Sequence, residues 1–359
     1  MTRQVRRVSV PAELSVEGVM MPTGAYRLVE RGVMVARTGS VSPARVDLTA
    51  DGIAAVTAAA GRLTGLSIRG ARLLKFTNNA VVLLPTAGAV LRIAGSEEVR
   101  ARVPVVVAAA RWLEALGLPA VRLHPAVPQA LDVGGHLVTV WQAVEASASP
   151  ADAADLAGIL RGLHTVDAAP PAELPAWNVA GSIRRRLGEA AGVGEDDVAF
   201  LHEELAAVEG MLEGLAEVES LVSPGIVHGD AFLGNVVASP VGPVLCDFDG
   251  VSVGPREWDL VPVAVGALRF DYTAGLHERF VRAYGVDVTA WQGFAALRRL
   301  RELQLVTSVL PVLEANPALR PQWLLRIDSL RRGDPSVRWT PYPAADRHSS
   351  RPRPQARRK

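Results

Sequence analysis

The chain has a single cysteine, Cys246, so no disulfide can form within it. Lysine is almost as scarce. Lys75 and Lys359 are the only two, and the other 36 of the 38 basic residues are arginine. Few positions can therefore hold a catalytic lysine. Aromatic residues make up 5%, and no apolar run reaches the roughly 18 residues of a membrane helix. Met1–Leu14 is basic but lacks the continuous apolar stretch of a secretory signal. Net charge is nearly absent at +1, although the last fourteen residues hold six bases and one acid, which leaves the other 345 at −4. A mildly acidic body gives no footprint for nucleic acid. These absences point to a cytoplasmic protein that engages neither a membrane nor nucleic acid.

What is present is globular composition, with 49% hydrophobic and 21% charged residues over 359 positions. That length suits two domains or one bilobal unit. Residues 1–70 read as an extension, with short β-like runs at Arg7–Val10 and Gly32–Ala36. A helix is expected at Ile53–Leu63, with Asp51 as its cap. Arg72–Phe76, Ala80–Leu84 and Ala89–Ile93 read as strands of an antiparallel meander, because turn-forming residues separate them. A helix then follows, with Pro104 in its first turn and Val105, Ala109, Trp112, Leu113 and Leu116 on one face. Gly117 ends it. One more strand is expected at His136–Trp141.

Beyond this point helices dominate. They are expected at Asp152–His164, Asp197–Leu215, Trp258–Arg269, Gly275–Tyr284, Thr289–Leu310 and Pro321–Leu330, with Pro311 as a stop for the fifth. Two β-like runs, Gly225–Val227 and Val244–Phe248, interrupt them. The organisation is an extension at 1–70, a small β-rich lobe at 71–140, a hinge at 141–147 and a larger helical lobe at 148–340. A Pro- and Arg-rich tail at 341–359 is expected to be disordered.

The chemistry concentrates in His228-Gly229-Asp230-Ala231-Phe232-Leu233-Gly234-Asn235 and Cys246-Asp247-Phe248-Asp249-Gly250. Asp230, Asn235 and Asp247 would bring a carboxylate, an amide oxygen and a second carboxylate to adjoining loop ends. Phosphoryl transfer from ATP needs such a set. One carboxylate orients the attacking hydroxyl, and hard oxygen ligands hold Mg²⁺ against the phosphates.

These residues resemble the aminoglycoside phosphotransferase and choline kinase-like family. Gly254-Pro255-Arg256-Glu257-Trp258-Asp259-Leu260, Leu163-His164 and Tyr284-Gly285 extend the likeness over about residues 72–330. The resemblance implies an α+β, bilobal protein-kinase-like fold with a small β-rich N-lobe and a larger, mainly helical C-lobe. It implies ATP and Mg²⁺ as cofactors and a small-molecule hydroxyl as acceptor. Asp230 would be the catalytic carboxylate, with His228 bracing its loop, and Asn235 and Asp247 would be the metal ligands. The adenine would lie against the chain near Gln142–Val144, with Gln142 and Val144 as contacts. Asp259 would hold the catalytic loop or cap a helix. Asp249 would either assist the metal or be a solvated turn residue.

The small lobe departs from the pattern. Arg92 stands where the family has a lysine, and its alternative reading is a surface charge on an edge strand. Lys75, on the first strand, is expected to be wrongly placed to substitute. The helix glutamate that should face Arg92 has no counterpart in the apolar Val105–Ala108 stretch. The phosphate-binding turn is reduced to Phe76-Thr77-Asn78-Asn79, where Asn78 and Asn79 would assist backbone N–H groups. The resemblance implies an aminoglycoside, a sugar, an amino alcohol or a similar acceptor, and the residues do not choose among them. Asp271, Trp291, Arg301 and Glu302 read first as ordinary helix-surface or core residues, with acceptor-site lining as the alternative.

Two rivals remain. The gaps in the small lobe permit a pseudokinase that binds nucleotide or a protein partner. Val244–Val251 also resembles the first motif of haloacid-dehalogenase-type phosphatases, but that likeness is local and leaves His228–Asn235 unexplained.

Overall fold

The structure, a computed structural model, describes residues 48–76, 79–270 and 273–342. The expected runs Arg7–Val10 and Gly32–Ala36, the turn residues Thr77 and Asn78, Asp271 and residues 343–359 of the terminal tail lie outside the described residues.

The first element is helix α1 (Ala50–Thr64). Its cap is Thr49, whose hydroxyl accepts the Gly52 N–H at 3.1 Å. Asp51 therefore sits inside the first turn, where its charge complements the helix dipole, and is not the cap. Strands β1 (Arg72–Phe76), β2 (Asn79–Leu84) and β3 (Ala89–Ala94) follow as an antiparallel meander. Helix α2 (Glu97–Ala115) crosses next. Ser96 caps it, so Pro104 lies mid-helix rather than in the first turn. The proline removes the bond to the Arg100 carbonyl. The face that α2 buries is Val99, Val103, Val106, Val107, Ala109, Ala110 and Leu113, which keeps Ala109 and Leu113 of the expected face but not Val105, Trp112 or Leu116.

Strands β4 (Leu131–Val133) and β5 (His136–Gln142) complete a sheet of order β1-β2-β3-β5-β4. Both faces of this sheet are covered. Ala80, Val82, Leu84, Leu91 and Ile93 meet Ile53, Val56 and Ala60 of α1 on one side. Val81, Leu83 and Val90 belong to the core that runs through α2 into the large lobe. Every residue of β2 is buried, which explains its unbroken apolar run after Asn79.

The large lobe begins with α3 (Ala153–His164), held by a capping box between Asp152 and Asp155. Helices α4 (Val179–Gly188) and α5 (Glu195–Glu213) follow. The pattern did not announce α4, which buries only Ile183 and Leu187 and contains two glycines. Strands β6 (Gly225–Val227), β7 (Val236–Val237), β8 (Val244–Leu245) and β9 (Ser252–Gly254) form two small antiparallel pairs, β6 with β9 and β7 with β8. Helices α6 (Val261–Arg269), α7 (Leu276–Tyr284), α8 (Phe294–Thr307), α9 (Leu310–Leu313) and α10 (Arg320–Arg331) close the lobe.

The expected helix Thr289–Leu310 is shorter, and Pro311 opens α9 rather than ending α8. Trp258, Trp323 and Trp339 are wholly buried core residues. No described helix is long and apolar enough to cross a membrane. Among the described residues the three sheets are antiparallel, and β8 is a two-residue strand in the smallest of them.

Candidate active site

The two motif loops hang from the two small strand pairs. His228–Asn235 joins β6 to β7, and Cys246–Val251 joins β8 to β9. Pairing the strands brings the loops side by side. The contact is too close for any side chain. Gly229 has φ +85°, and a Cβ there would stand 2.1 Å from the Gly250 carbonyl oxygen. Both glycines are thus needed where the loops touch.

Asp259 fastens the first loop from beneath. It is wholly buried. Its Oδ2 accepts the His228 N–H at 2.6 Å, and its Oδ1 accepts the Gly229 N–H at 2.8 Å. The Trp258 indole N–H adds a bond to the Gly229 carbonyl at 2.9 Å. His164, ending α3, meets Asp259 Oδ2 at 3.1 Å through Nε2, and its Nδ1 lies 2.8 Å from the Tyr284 hydroxyl. With Nε2–H donated to the carboxylate, Nδ1 accepts the tyrosine proton. Burial, then the nearby Asp259 charge, pushes the Tyr284 hydroxyl up to about 12, so it stays protonated. His164, Asp259 and Tyr284, far apart in the chain, form one buried strut. Asp259 supports the loop and does not cap a helix.

His228 braces the loop from within. Its Nδ1 is 3.4 Å from the Asp230 N–H and its Nε2 is 3.0 Å from the Cys246 carbonyl. Accepting at Nδ1 and donating at Nε2 suits the neutral ring. It ties the first loop to the second. Asn235 Nδ2 donates to the Asp230 carbonyl at 2.8 Å, which turns Oδ1 away as a hard oxygen donor. Burial pushes the Cys246 thiol up to about 12, so it is no nucleophile.

Asp247 has φ +67°, the one positive φ among the described non-glycine residues. Such a backbone costs roughly 1–3 kcal/mol and is characteristic of functional loops. Its carboxylate lies 3.6 Å from Arg92 Nη2 and 3.8 Å from Lys75 Nζ. Asp249 is no solvated turn residue. Its Oδ2 takes a direct contact from Arg92 Nη2 and a hydrogen bond from Asn79 Nδ2 at 3.2 Å, while its Oδ1 is buried without a partner.

Arg92 itself is only 11% exposed on β3, between β2 and β5. It is not an edge-strand surface charge. From α2, Arg102 donates to the Asp249 carbonyl at 2.9 Å and to the Val251 carbonyl at 2.8 Å. An arginine of this helix, which the sequence reading did not single out, thus grips the second loop.

Lys75 corrects an expectation. In a regular strand Leu73 and Lys75 share a face, and Leu73 belongs to the α1 side. A bulge between them pairs Leu73 with Val82 but Lys75 with Val81, which turns Lys75 to the cleft face. Asn79 begins β2 on that same face. At the lobe junction, Gln142 has its N–H on the Arg122 carbonyl and its side-chain amide on the Leu123 carbonyl. Val144 lies two residues beyond the end of β5.

Asp230 is 40% exposed, with Oδ1 2.8 Å from Arg301 Nη2. Arg301, expected first as a packing residue, reaches the motif carboxylate from α8. Glu302, by contrast, is buried in an ion pair with Arg269 at 2.7 Å, and Trp291 donates to the Glu219 carbonyl.

Asn235 Oδ1, Asp247 and the unpartnered Asp249 Oδ1 are the donors that Mg²⁺ prefers. Among the described residues no three acidic, histidine or cysteine side chains form a metal cage. This donor set fits an ion that takes its remaining ligands from phosphate and water.

Solved structures share this architecture. Choline kinase LicA from Streptococcus pneumoniae superposes with a TM-score of 0.56 at 16% identity, over 74% of this chain and 92% of its own. A choline/ethanolamine kinase family protein from Mesorhizobium loti gives 0.51 at 20% identity, over 73% and 87%. The aminoglycoside phosphotransferase APH(3'')-Id from Streptomyces rimosus gives 0.51 at 16%, over 66% and 94%. The fold is therefore the protein-kinase-like fold of these enzymes. None of the curated proteins matches the chain. The family match is to the phosphotransferase enzyme family, APH, over residues 71–303. With nearly two-thirds of its length so matched, and with both motif loops inside the match, the chain belongs to the APH phosphotransferase family.

Proposed function

We propose that the protein is an ATP- and Mg²⁺-dependent kinase that phosphorylates a hydroxyl of a small molecule. The observation that carries this is the convergence of Asp230, Asn235 and Asp247 on two interlocked loops beneath the cations Arg92 and Lys75. Related structures supply further support. Spectinomycin phosphotransferase holds ADP and spectinomycin, and amicoumacin kinase holds AMP-PNP and Ca²⁺.

On this reading Asp230 accepts a hydrogen bond from the acceptor hydroxyl and aims its oxygen at the γ-phosphorus. The new bond joins that oxygen to the γ-phosphorus. The bond from the γ-phosphorus to the bridging oxygen breaks, and ADP leaves. The hydroxyl proton passes by way of Asp230 to water. Mg²⁺, when bound by Asn235 and Asp247, offsets the phosphate charge. Arg92 and Lys75 hold the phosphate oxygens, and backbone at Val144 offers the adenine its edge. Asp249 keeps Arg92 aimed in the place of the missing helix glutamate.

The test is thermal stabilisation by ATP with and without magnesium, in wild type and Asp247→Ala. Stabilisation that requires magnesium and is lost in the variant supports the reading. No stabilisation by millimolar ATP or GTP would overturn it and favour a pseudokinase. Asp230→Asn should retain the nucleotide response and lose acceptor-dependent ADP release.

A further inference from the structure

Helices α4 and α8 pack against each other, and an arginine from each interacts with Asp230. Arg301 on α8 is 10% exposed. Its Nη2 meets Asp230, its Nη1 donates to Gln304 Oε1 at 2.7 Å, and its Nε is buried without a hydrogen-bond partner. Arg186 on α4 repeats the feature, with Nη1 buried and unpartnered. Burial lowers the Arg186 pKa, and the charges acting on it are, in order, those of Glu98, Arg185, Asp230 and Arg301. A buried guanidinium N–H without an acceptor is costly, and three arginines, Arg185, Arg186 and Arg301, share two carboxylates, Glu98 and Asp230, here.

The acids on the surrounding helices do not redress this. Glu98 is paired with Arg185, Glu209 with Arg184, and Glu204 with Arg299. Glu302 is held by Arg269 and Arg298. Arginines therefore outnumber acids around Asp230, and two of them, Arg186 and Arg301, have N–H groups to satisfy. A cationic acceptor would be repelled. A carboxylate or phosphate group would supply the missing negative charge and accept the orphaned donors, which planar guanidiniums bind well.

We propose that the acceptor is a small hydroxyl-bearing anion, its carboxylate or phosphate group held by Arg186 and Arg301 while its hydroxyl is presented to Asp230. This rests on the kinase reading above. It sets this chain apart from relatives whose names denote choline or aminoglycoside substrates.

The test uses the full chain. Magnesium-dependent ATP stabilisation is measured first. ADP release and calorimetric binding are then measured with D-glycerate and D-gluconate as hydroxycarboxylates and with glycerol 3-phosphate as a phosphate monoester. Glycerol serves as a neutral probe, and choline and kanamycin as cationic ones. Turnover or binding is expected with at least one anion and not with the cations, and the carboxylate and phosphate arms identify which group is recognised. Arg186→Gln should raise the KM for that anion by about 10-fold or more, a charged hydrogen bond being lost, with ATP stabilisation retained as the check on folding. Arg186→Lys should restore part of the affinity.

Absence of any ATP response would overturn the kinase reading itself. An ATP response with turnover of choline or kanamycin, or with no binding of any anion, would overturn the anionic acceptor alone. An anion KM unchanged in Arg186→Gln would do the same and leave the two arginines as supports of the loop.

Discussion

Arg92 on β3 is held by Asp249, 157 residues further along the chain, through a direct contact between Nη2 and Oδ2. In the kinase pattern the cation of this strand takes its counter-ion from the helix. Here a counter-ion comes from the loop that carries Asp247, and Arg102 of α2 grips the backbone of that loop instead. Arg92→Gln and Asp249→Asn should each lower kcat/KM by about 10–100-fold, as loss of a partner that orients a metal or phosphate site does. The double variant should fall short of the combined effect, with a coupling of about 0.5–3 kcal/mol. Strict additivity in the cycle would mean that Asp249 does not act through Arg92.

Lys75 offers a milder test. It is 49% exposed and 3.8 Å from Asp247, so its contribution is that of a screened surface charge. Lys75→Met should raise the KM for ATP about 2–5-fold at low ionic strength. The difference should shrink at 0.5 M salt, since screening then acts within a few ångströms. A KM that is the same at low salt in both proteins would remove Lys75 from the phosphate site.

Asp259 bears on stability more than on chemistry. It accepts two backbone N–H groups and meets His164, all within a region closed to water. Asp259→Asn would turn an amide N–H₂ toward donors. Urea denaturation should show a loss of about 3–5 kcal/mol, typical of breaking a buried charged network. Tyr284→Phe, which removes one neutral hydrogen bond to His164, should cost about 1 kcal/mol. Equal losses in the two variants would argue against Asp259 as the centre of the strut.

Alkaline pH should weaken the fold. Burial pushes Cys246, Tyr284 and Tyr342 each up to about 12, from ordinary values of 9.0 for the thiol and 10.0 for the phenols. Above pH 9 the unfolded chain therefore loses protons that the folded chain keeps. Their contribution is complete below pH 9 and declines as pH rises toward 12. The urea midpoint should fall between pH 9 and 11, and less steeply in Cys246→Ala. The native thiol should resist a disulfide reagent at pH 8.5 and react once urea unfolds the chain. A midpoint constant to pH 11 would contradict the burial of these groups.

Much of the fold could be read along the chain because its signals are local. Arg72–Phe76 reads as a strand on composition and is one, and Gly117 does follow α2 with the positive φ of a helix stop. Asp230, Asn235 and Asp247 could be singled out because their two motifs, the spacing within them and the segment that follows together resemble one family. Helix α4 was not, since its glycines lower helix propensity and Ile183 and Leu187 leave little periodicity to detect. Missing α4 also hid Arg186. Arg301 looked like one more arginine on a helix because nothing in its neighbours in sequence indicates Asp230.

The residue order alone settled the antiparallel meander, the helical second half and the identity of the two polar loops. Each depends on turn chemistry, periodicity or a short motif, which act over a few residues. Tertiary structure alone decided which charges meet. A one-residue bulge turned Lys75 into the cleft, a loop acid took the place of a helix glutamate beside Arg92, and an arginine from α8 came to meet Asp230. Such pairings depend on distance through space between groups far apart along the chain, and electrostatic energy follows that distance rather than sequence separation.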